Sequence, residues 1–276
     1  MGVAWLTSRP IAHRGYHDTS AGIVENTLSA AQAAIAKNFA IECDLQLTAD
    51  GEAVVFHDDS LDRLTLASGP VRARSFAELK AIPLRDTGDR IPTLGDLLAA
   101  VAGRTPLLIE LKSDWTGDRR LEAEAARVLS AYQGRAAVMS FDPASMRAMR
   151  RLLPQVPRGL TADAFADGPD WGHLPPLRRF ALRHLFTVLA VRPAFVAYGI
   201  HDLPAPAPLL LRRLGVDLIC WTVRTPAERT KAQRYCDQIT FEGFNPDKSI
   251  ADMGVVRSAW FKDTEGNLLG IVEGAI

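Results

Sequence analysis

The sequence predicts an α/β protein of the closed TIM or (β/α)8 barrel class, and three observations support this. First, short apolar segments alternate with longer helical patterns as far as about residue 245, which is typical of a parallel sheet covered by helices. Second, about eight such repeats fall in a chain of 276 residues, and this spacing favours a closed barrel over an open doubly wound sheet. Third, the chain has no Gly-x-Gly-x-x-Gly after its first strand and no Walker-type Gly-Lys-Ser/Thr, which disfavours nucleotide-binding folds.

Nine apolar segments are predicted as strands from their length and flanking residues, at 10–14, 40–47, 53–57, 106–111, 136–140, 158–162, 194–199, 217–223 and 238–242. Helical patterns fall between most of them, at 27–37, 93–101, 119–132, 143–152, 206–214 and 226–235. Several helices begin as capping rules expect. Thr93 has Asp96 three residues on, Asp142 precedes a proline, and Thr225 is followed by Pro226 with Glu228 close by.

Two segments interrupt this alternation. Residues 58–91 are too long for an ordinary strand–helix loop and are predicted to form a small insertion on the barrel rim, after the strand that ends in His57-Asp58. Residues 163–193 are a second candidate rim element. We assign residues 1–250 to the barrel and residues 251–276 to a short, atypical C-terminal extension of unassigned role.

The composition excludes several functional classes. Hydrophobic residues form 47% of the chain, and 32 Lys and Arg balance 32 Asp and Glu, so neither disorder nor a general attraction to nucleic acid is expected. Three cysteines without a Cys-x-x-Cys spacing disfavour a disulfide framework or a zinc cluster and fit a reducing compartment.

Neither a secretory leader nor a transmembrane segment is predicted. The N-terminus lacks a long apolar core, and the most apolar later stretch, residues 180–200, is interrupted by arginines, a histidine and a proline. We therefore expect a cytoplasmic protein. The sequence predicts no particular oligomeric state.

Ionisable residues stand at the ends of four predicted strands, where a buried strand normally carries none. They are His13, Arg14, Glu42, Asp44, His57, Glu110 and Lys112. Strand side chains alternate between faces, so Glu42 and Asp44 project together while Cys43 points the other way. The carboxyl ends of the strands are where barrel active sites form.

These residue types together indicate phosphodiester chemistry. Converging carboxylates repel one another unless they are protonated, paired or bound to a metal, and oxygen ligands suit Mg²⁺ or Ca²⁺. Cations stabilise a phosphoryl group, and histidines exchange protons near neutral pH. Taken singly, each residue also has a structural interpretation, such as an ion pair between Glu110 and Lys112 or a helix cap at Asp58.

The same residues resemble the signature of the glycerophosphodiester phosphodiesterase family over about residues 9–246. The matching motifs are His13-Arg14-Gly15, Glu25-Asn26-Thr27, Glu42-x-Asp44, Thr48-Ala-Asp50-Gly51, Val54-Val55-Phe56-His57-Asp58, Leu61-Asp62-Arg63-Leu64-Thr65, Pro92-Thr93-Leu94, Glu110-Leu-Lys112, Ser140-Phe141-Asp142 and Trp221-Thr222-Val223.

The resemblance implies a TIM barrel that hydrolyses glycerophosphodiesters, small-molecule substrates, to an alcohol and glycerol 3-phosphate. It implies one divalent cation, Mg²⁺ or Ca²⁺, bound by Glu42, Asp44 and Glu110. It implies that His13 and His57 form the acid–base pair. It further implies that Arg14, Lys112 and Trp221 bind the substrate.

Some positions depart from the family pattern or have more than one interpretation. Arg224 stands where many members carry Asn, which bears on substrate preference. Glu242 either contacts the glycerol of the substrate or caps the barrel. Asn26 and Thr27 are expected to cap the first helix.

Two alternative functions stay open. One is a phospholipase D-like or ring-forming lyase acting on lysophospholipids, with residues 180–200 sheltering an acyl chain, although a rim helix explains that stretch better. The other is a non-catalytic barrel that binds phosphodiesters.

The tail has its own resemblance. Residues 259–273 are similar to the closing hairpin of a glyoxalase/bleomycin-resistance-type module, and they equally fit two strands joined by a turn at Gly266 and Asn267. About 30 residues cannot bury enough core to fold alone. We therefore assign no metal site to the tail, although Glu273 occupies a ligand-like place.

Overall fold

The computed structural model describes residues 3–247 in full and the backbone of residues 256–262 and 268–274. The strands of the first range are β1 (Ile11–Ala12), β2 (Ala40–Leu47), β3 (Ala53–Val55), β4 (Leu107–Leu111), β5 (Ala136–Ser140), β6 (Arg158–Ala162), β7 (Phe195–Gly199), β8 (Asp217–Val223) and β9 (Gln238–Phe241). All except β3 pair in parallel in the order β1-β2-β4-β5-β6-β7-β8-β9, and β9 pairs with β1. This closed eight-stranded barrel confirms the predicted fold.

The helices lie between the strands. They are α1 (Leu28–Ala36), α2 (Phe76–Ala81), α3 (Leu94–Val101), α4 (Arg120–Leu129), α5 (Pro143–Leu152), α6 (Pro176–Arg183), α7 (Val188–Val191), α8 (Pro206–Arg213) and α9 (Pro226–Tyr235). Thr93 and Thr225 form capping boxes with Asp96 and Glu228, and Asp142 caps α5, as their sequence positions predict. No helix in the described part of the chain is both long enough and apolar enough to cross a bilayer.

Side chains inside the barrel form a core separate from the one beneath the helices. Ile11, Ala40, Leu108, Phe195 and Ile219 belong to this inner core, whereas alternate residues of the same strands pack outward against the helices. A short N-terminal segment fills one end of the barrel, because the buried side chains of Val3 and Leu6 join the inner core. The opposite end, formed by the carboxyl ends of the strands, is left for polar groups.

The third predicted strand is not a barrel strand. β3 runs antiparallel to the end of β2, with Val55 opposite Leu45 and Ala53 opposite Leu47. The expectation that His57 ends a parallel strand is therefore wrong. β2 extends beyond the barrel rim, and β3 returns along this extension, so that the Phe56 amide donates to the Asp44 carbonyl. The returning strand brings His57 back to the level of Asp44.

Residues 58–91 follow this returning strand and pack around a small apolar cluster of their own. The cluster joins β3 to α2 and to the loops on either side, and its members are Val54, Phe56, Leu61, Val71, Leu79, Leu84 and Ile91. A 3-10 helix at Val71–Ala73 precedes α2, which Ser75 and Glu78 cap reciprocally. The segment is thus anchored to the strand that carries His57.

The second rim segment contains α6 and α7. Leu182, Leu185 and Val191 are buried against the barrel, which confirms the interpretation of this apolar stretch as rim helices packed on the sheet. Other apolar side chains of the segment face solvent, and they are considered separately below.

The tail contains two antiparallel strands, β10 (Val256–Lys262) and β11 (Leu268–Gly274). This confirms the interpretation as two paired strands. The predicted turn at Gly266 and Asn267 lies outside the described residues.

Candidate active site

The carboxyl end of β2 places two carboxylates inside the barrel mouth. Because Ala40 faces the inner core and Cys43 the outer one, the alternation of strand side chains directs Glu42 and Asp44 inward. β4 is in register with β2, with Asp44 opposite Glu110. The two neighbouring strands therefore bring three carboxylates to the same end of the barrel.

Glu42, Asp44 and Glu110 form a compact acidic cluster. One oxygen from each lies within 4.8 Å of those of the other two, and all three residues are buried. Lys112, two residues after Glu110 and on the same face, is bound to two of them: its Nζ lies 3.0 Å from Asp44 Oδ1 and 2.9 Å from Glu110 Oε1.

Burial and the neighbouring charges move the pKa values of this cluster in opposite directions. Desolvation, followed by repulsion from Asp44 and Glu110, raises the pKa of Glu42 well above its usual range. Desolvation also acts to raise the pKa of Asp44, but the positive charges of Lys112, the histidines and Arg14 outweigh it and lower that pKa strongly. Lys112 pairs with Asp44 and Glu110 but not with Glu42, whose ionised form is disfavoured by burial and by its two acidic neighbours.

The chemistry of this donor set fits a divalent cation. Three buried carboxylate oxygens, close enough to share one ion, are the hard ligands that Mg²⁺ and Ca²⁺ prefer. A bound dication would also supply the positive charge that Glu42 lacks.

His13 follows β1 and is held by a carboxylate from the last barrel strand. Its Nδ1 lies 2.8 Å from Glu242 Oε2, and the same oxygen accepts a hydrogen bond of 2.9 Å from Arg224 Nη2. The hydrogen bond from His13 is the largest influence on Glu242 and lowers the pKa of that carboxyl to about 2. An ionised carboxylate only accepts hydrogen bonds, so Nδ1 carries the proton. In the neutral ring, Nε2 is therefore unprotonated.

Glu242 thus orients His13, a role that the sequence did not predict. The two roles expected from the sequence stay predictions. Arg224, which departs from the family pattern, fixes the carboxylate that performs this orientation.

His57 is held by its neighbour in the chain. Its Nδ1 lies 2.7 Å from Asp58 Oδ1. Arg63 donates hydrogen bonds of 2.6 and 2.9 Å to the two oxygens of that carboxylate. The amide of Gln46, the next inward residue of β2, donates to the His57 carbonyl at 3.1 Å. Asp58 is thus a partner for the histidine and not a helix cap.

Arg14 connects the histidine-bearing loop to the acidic cluster. Its backbone amide donates to Glu42 Oε2 at 2.9 Å, while its guanidinium lies 3.5 Å from Asp44 Oδ2 and 2.7 Å from Glu25 Oε1. Arg63 also donates to both oxygens of Glu25. Glu25 therefore joins Arg14 to the arginine that fixes Asp58.

Asn26 is not the helix cap that its position suggests. Thr27 alone caps α1, accepting from the Ala30 amide. Asn26 donates through Nδ2 to Asp44 Oδ2 at 2.9 Å and accepts from the Asp44 amide at 3.2 Å. This reciprocal pair fixes one of the cluster carboxylates.

Trp221 stands on the opposite side of the mouth, at the end of β8 and on its inward face. It contacts Phe141 at 5.5 Å between ring centroids, and Phe141 in turn contacts Trp171 at 4.9 Å. Trp171 packs on Phe165 at 4.7 Å. We call these four rings the aromatic wall. The indole nitrogen of Trp221 is buried without a hydrogen-bond partner in the described residues.

The eight site residues predicted from the sequence lie around one barrel mouth. The sequence reasoning missed those that act through others, namely Glu25, Asn26, Gln46, Asp58, Arg63, Arg224 and Glu242. The sequence position of Asn26 predicts a cap, and the contacts of Asn26 and Glu242 are not predictable locally because each is with a residue distant in the chain.

Comparison with known proteins gives a consistent result. The sequence profile of the glycerophosphoryl diester phosphodiesterase family matches residues 13–249. The chain is 30% identical over 232 residues to YhdW of Bacillus subtilis strain 168, whose name assigns it provisionally to the glycerophosphodiester phosphodiesterases; the match covers 81% of this chain and 89% of YhdW. It is 32% identical over 160 residues to a glycerophosphodiester phosphodiesterase of Caldanaerobacter subterraneus, covering 54% of this chain and 65% of that one.

Solved structures share the fold. A phosphodiesterase of Oleispira antarctica, determined in complex with its product sn-glycerol-3-phosphate, superposes with a TM-score of 0.71 at 22% identity, covering 84% of this chain and 92% of that one. A glycerophosphodiester phosphodiesterase of Parabacteroides distasonis gives a TM-score of 0.66 at 23% identity, covering 85% and 92%. At these identities the likeness shows the architecture.

Proposed function

This chain belongs to the glycerophosphoryl diester phosphodiesterase family and is an enzyme that hydrolyses glycerophosphodiesters, and we propose that it does so with His13 and His57 as its acid–base pair. The observation that carries the assignment of roles is the shared geometry of the two histidines. Each is held through Nδ1 by a carboxylate, at 2.8 and 2.7 Å, beside the buried acidic cluster.

Glu42, Asp44 and Glu110 are the residues that would hold the divalent cation, either Mg²⁺ or Ca²⁺. A bound cation polarises a phosphoryl oxygen and offsets the charge that develops on it. Asn26 keeps Asp44 in place for this role through its paired hydrogen bonds.

His13 is suited to act as the general base. It is the more buried of the two histidines, with side-chain exposures of 12% for His13 and 31% for His57. Desolvation lowers the pKa of His13 in spite of the hydrogen bond to Glu242, which keeps Nε2 unprotonated at neutral pH. In this role His13 accepts the proton of the glycerol 2-hydroxyl. The oxygen of that hydroxyl then attacks phosphorus to form a cyclic phosphate.

His57 is then the general acid. It protonates the oxygen of the leaving alcohol as the phosphorus–oxygen bond breaks, and water subsequently opens the cyclic phosphate to give glycerol 3-phosphate. Arg14 and Lys112 are the cations beside the phosphoryl position, and the free indole N–H of Trp221 supports a contact with the glycerol part of the substrate.

Residues 1–250 are the unit that we hold responsible for this reaction, with residues 251–276 as an extension. The three cysteines are free and buried in the described residues, which supports a reducing, cytoplasmic location.

The reaction is tested by the turnover of glycerophosphocholine with chelator-treated protein, with and without added Mg²⁺ or Ca²⁺. Release of glycerol 3-phosphate that depends on one of the two metals is the expected result. Accumulation of a cyclic phosphate as the final product would instead indicate a ring-forming lyase. Activity on lysophospholipids alone would support the alternative of a phospholipase D-like or ring-forming lyase that acts on those lipids.

Two variants separate the acidic cluster from general effects of charge. Glu42→Gln should abolish the metal-dependent turnover, whereas Asp86→Asn, which removes an exposed carboxylate on the insertion, should leave it unchanged. Equal turnover in Glu42→Gln and wild type would contradict the assignment of Glu42 to the metal site.

A further inference from the structure

The outer side of α6, α7 and α8 exposes an unusual concentration of apolar side chains. Eight large apolar residues are exposed within residues 3–247, and six of them are on this side: Leu177, Phe180, Phe186, Leu189, Leu210 and Leu214. Leu189 is 84% exposed and Leu177 is 80% exposed. We call these six residues the lateral face.

The lateral face is continuous. Phe186, Leu189 and Leu210 line one groove of about 500 Å³ between the α6–α7 segment and α8. The ring of Phe180 lies 5.8 Å from that of Phe186. Leu177 lies one helical turn from Phe180, and Leu214 lies one helical turn from Leu210, each on the same side of its helix. A contiguous apolar patch of this kind on a protein surface marks an interaction site.

Positive charge surrounds the lateral face. Residues 143–216 contain ten arginines and four aspartates, with no lysine and no glutamate, in a chain of zero net charge. Arg183, Arg192 and Arg213 are exposed next to the apolar residues. Within residues 3–247, none of these three takes part in an ion pair, whereas Arg179 and Arg212 are paired with aspartates. Unpaired arginines around an apolar groove select a partner that is both apolar and anionic.

We propose that the lateral face docks the enzyme onto a bilayer that contains anionic phospholipids. Leucine and phenylalanine side chains on the outer side of short helices enter the boundary between headgroups and acyl chains, while arginines bind lipid phosphates. A second copy of the chain is disfavoured as the occupant, because a symmetric dimer through this face would oppose two positively charged surfaces.

Docking by this face would bring the barrel mouth close to the lipid surface. Leu177 is adjacent to Arg178, whose guanidinium lies 4.7 Å above the ring of Trp115. Trp115 contacts Trp171 of the aromatic wall at 6.2 Å. Arg178 and Trp115 therefore connect the lateral face to the aromatic wall.

The test is co-sedimentation with vesicles of phosphatidylcholine alone and of phosphatidylcholine mixed with phosphatidylglycerol. We expect binding to the mixed vesicles that weakens as salt is added, and little binding to the neutral ones. Removing three interfacial charges in R183Q/R192Q/R213Q should weaken the binding on the order of 100-fold. L189Q/L210Q, at two exposed positions, should weaken it about tenfold or more.

Matched controls remove the same groups elsewhere. K37Q/R135Q/R234Q removes three exposed charges away from the lateral face, and L66Q removes an exposed leucine of the insertion; both should bind like wild type. Turnover of a soluble glycerophosphodiester without vesicles should be equal in all these variants, so that docking is measured independently of the reaction.

Three results would overturn the proposal. One is the absence of binding to mixed vesicles, and another is an equal loss in the control variants. The third is a dimer in sedimentation velocity that L189Q/L210Q dissociates, because the lateral face would then be the contact between two copies of the chain.

Discussion

His13 and His57 are held in the same way by groups of very different origin. Asp58, the partner of His57, is its neighbour in the chain, whereas Glu242 reaches His13 from 229 residues away. In both cases a carboxylate on Nδ1 fixes the ring orientation and the tautomer of the neutral ring. The side chain of His57 is more exposed than that of His13, and this difference is the basis of the separate roles that we propose for them.

Replacing either histidine by alanine should lower kcat by about 10²–10⁴-fold, which is the usual contribution of a positioned acid or base. The measurement is glycerol 3-phosphate release under saturating substrate and metal. His201→Ala serves as the control, because His201 is 74% exposed and belongs to none of the contacts described for the site. Full activity in both variants would eliminate the proposed mechanism.

The acidic limb of the kcat/KM profile should lie below pH 6.5, the ordinary value for histidine, because burial lowers the pKa of His13. Glu242→Gln should move this limb to still lower pH, since the hydrogen bond and the charge of Glu242 both raise that pKa. Its loss of kcat should be smaller than that of His13→Ala, because the amide oxygen of glutamine still accepts from Nδ1. A limb that moves upward in Glu242→Gln would show that Glu242 does not govern His13.

At the scale of elements, the turn after β1 determines how closely α1 approaches the site. Gly15 has φ of +80°, and a Cβ built on it would lie 2.7 Å from Ala30 Cβ of α1. The amide of the following residue, Tyr16, donates to the Ala30 carbonyl. Only glycine allows this turn and this contact together.

Gly15→Ala should therefore destabilise the fold by more than a positive φ alone, which costs an alanine roughly 1–2 kcal/mol. Gly51→Ala is the matched control, because Gly51 has φ of +89° but no atom within 4 Å of a built Cβ. Urea unfolding gives the two free energies of unfolding. Equal values would show that the contact with Ala30 is relaxed at no cost.

Element prediction from the sequence succeeded where local patterns decide the structure. The capping residues of α3, α5 and α9 and the alternation along β2 depend on neighbours in the chain, and the structure confirms them. The sequence does not distinguish β3 from a barrel strand, because an apolar run fits a parallel and an antiparallel strand equally well. The position of Asn26 predicts a cap, because its true partner, Asp44, is brought near it only by the packing of α1 against β2.

At the scale of the whole molecule, the acidic cluster is a charge imbalance that the fold retains. Three buried carboxylates from two strands face one lysine and one arginine, and the raised pKa of Glu42 reports the cost. The sequence indicated the cluster, since paired polar residues at neighbouring strand ends are recognisable. It did not indicate the network of Glu25, Arg63 and Arg224, because charged residues in loops have no periodicity to mark them.

Adding a divalent cation should therefore raise the melting temperature. Binding to the folded state alone stabilises it by about 2.7 kcal/mol at a concentration of 100 times Kd. Thermal unfolding with Mg²⁺ and with Ca²⁺ would rank the two ions. The increase should vanish in Glu110→Gln and shrink at acidic pH, because the ligands must be ionised. An equal increase in that variant would place the bound ion elsewhere.

The closure of the barrel also fixes when the enzyme becomes active during its synthesis. β1 is synthesised well before β9, and its second edge stays unpaired until β9, with Phe241 opposite Ala12, has been made. Glu242 follows immediately, so the same few residues complete the barrel and orient His13. We therefore expect a nascent chain to be inert until its barrel is finished, and throughout that interval to expose an open strand edge that can pair with other chains.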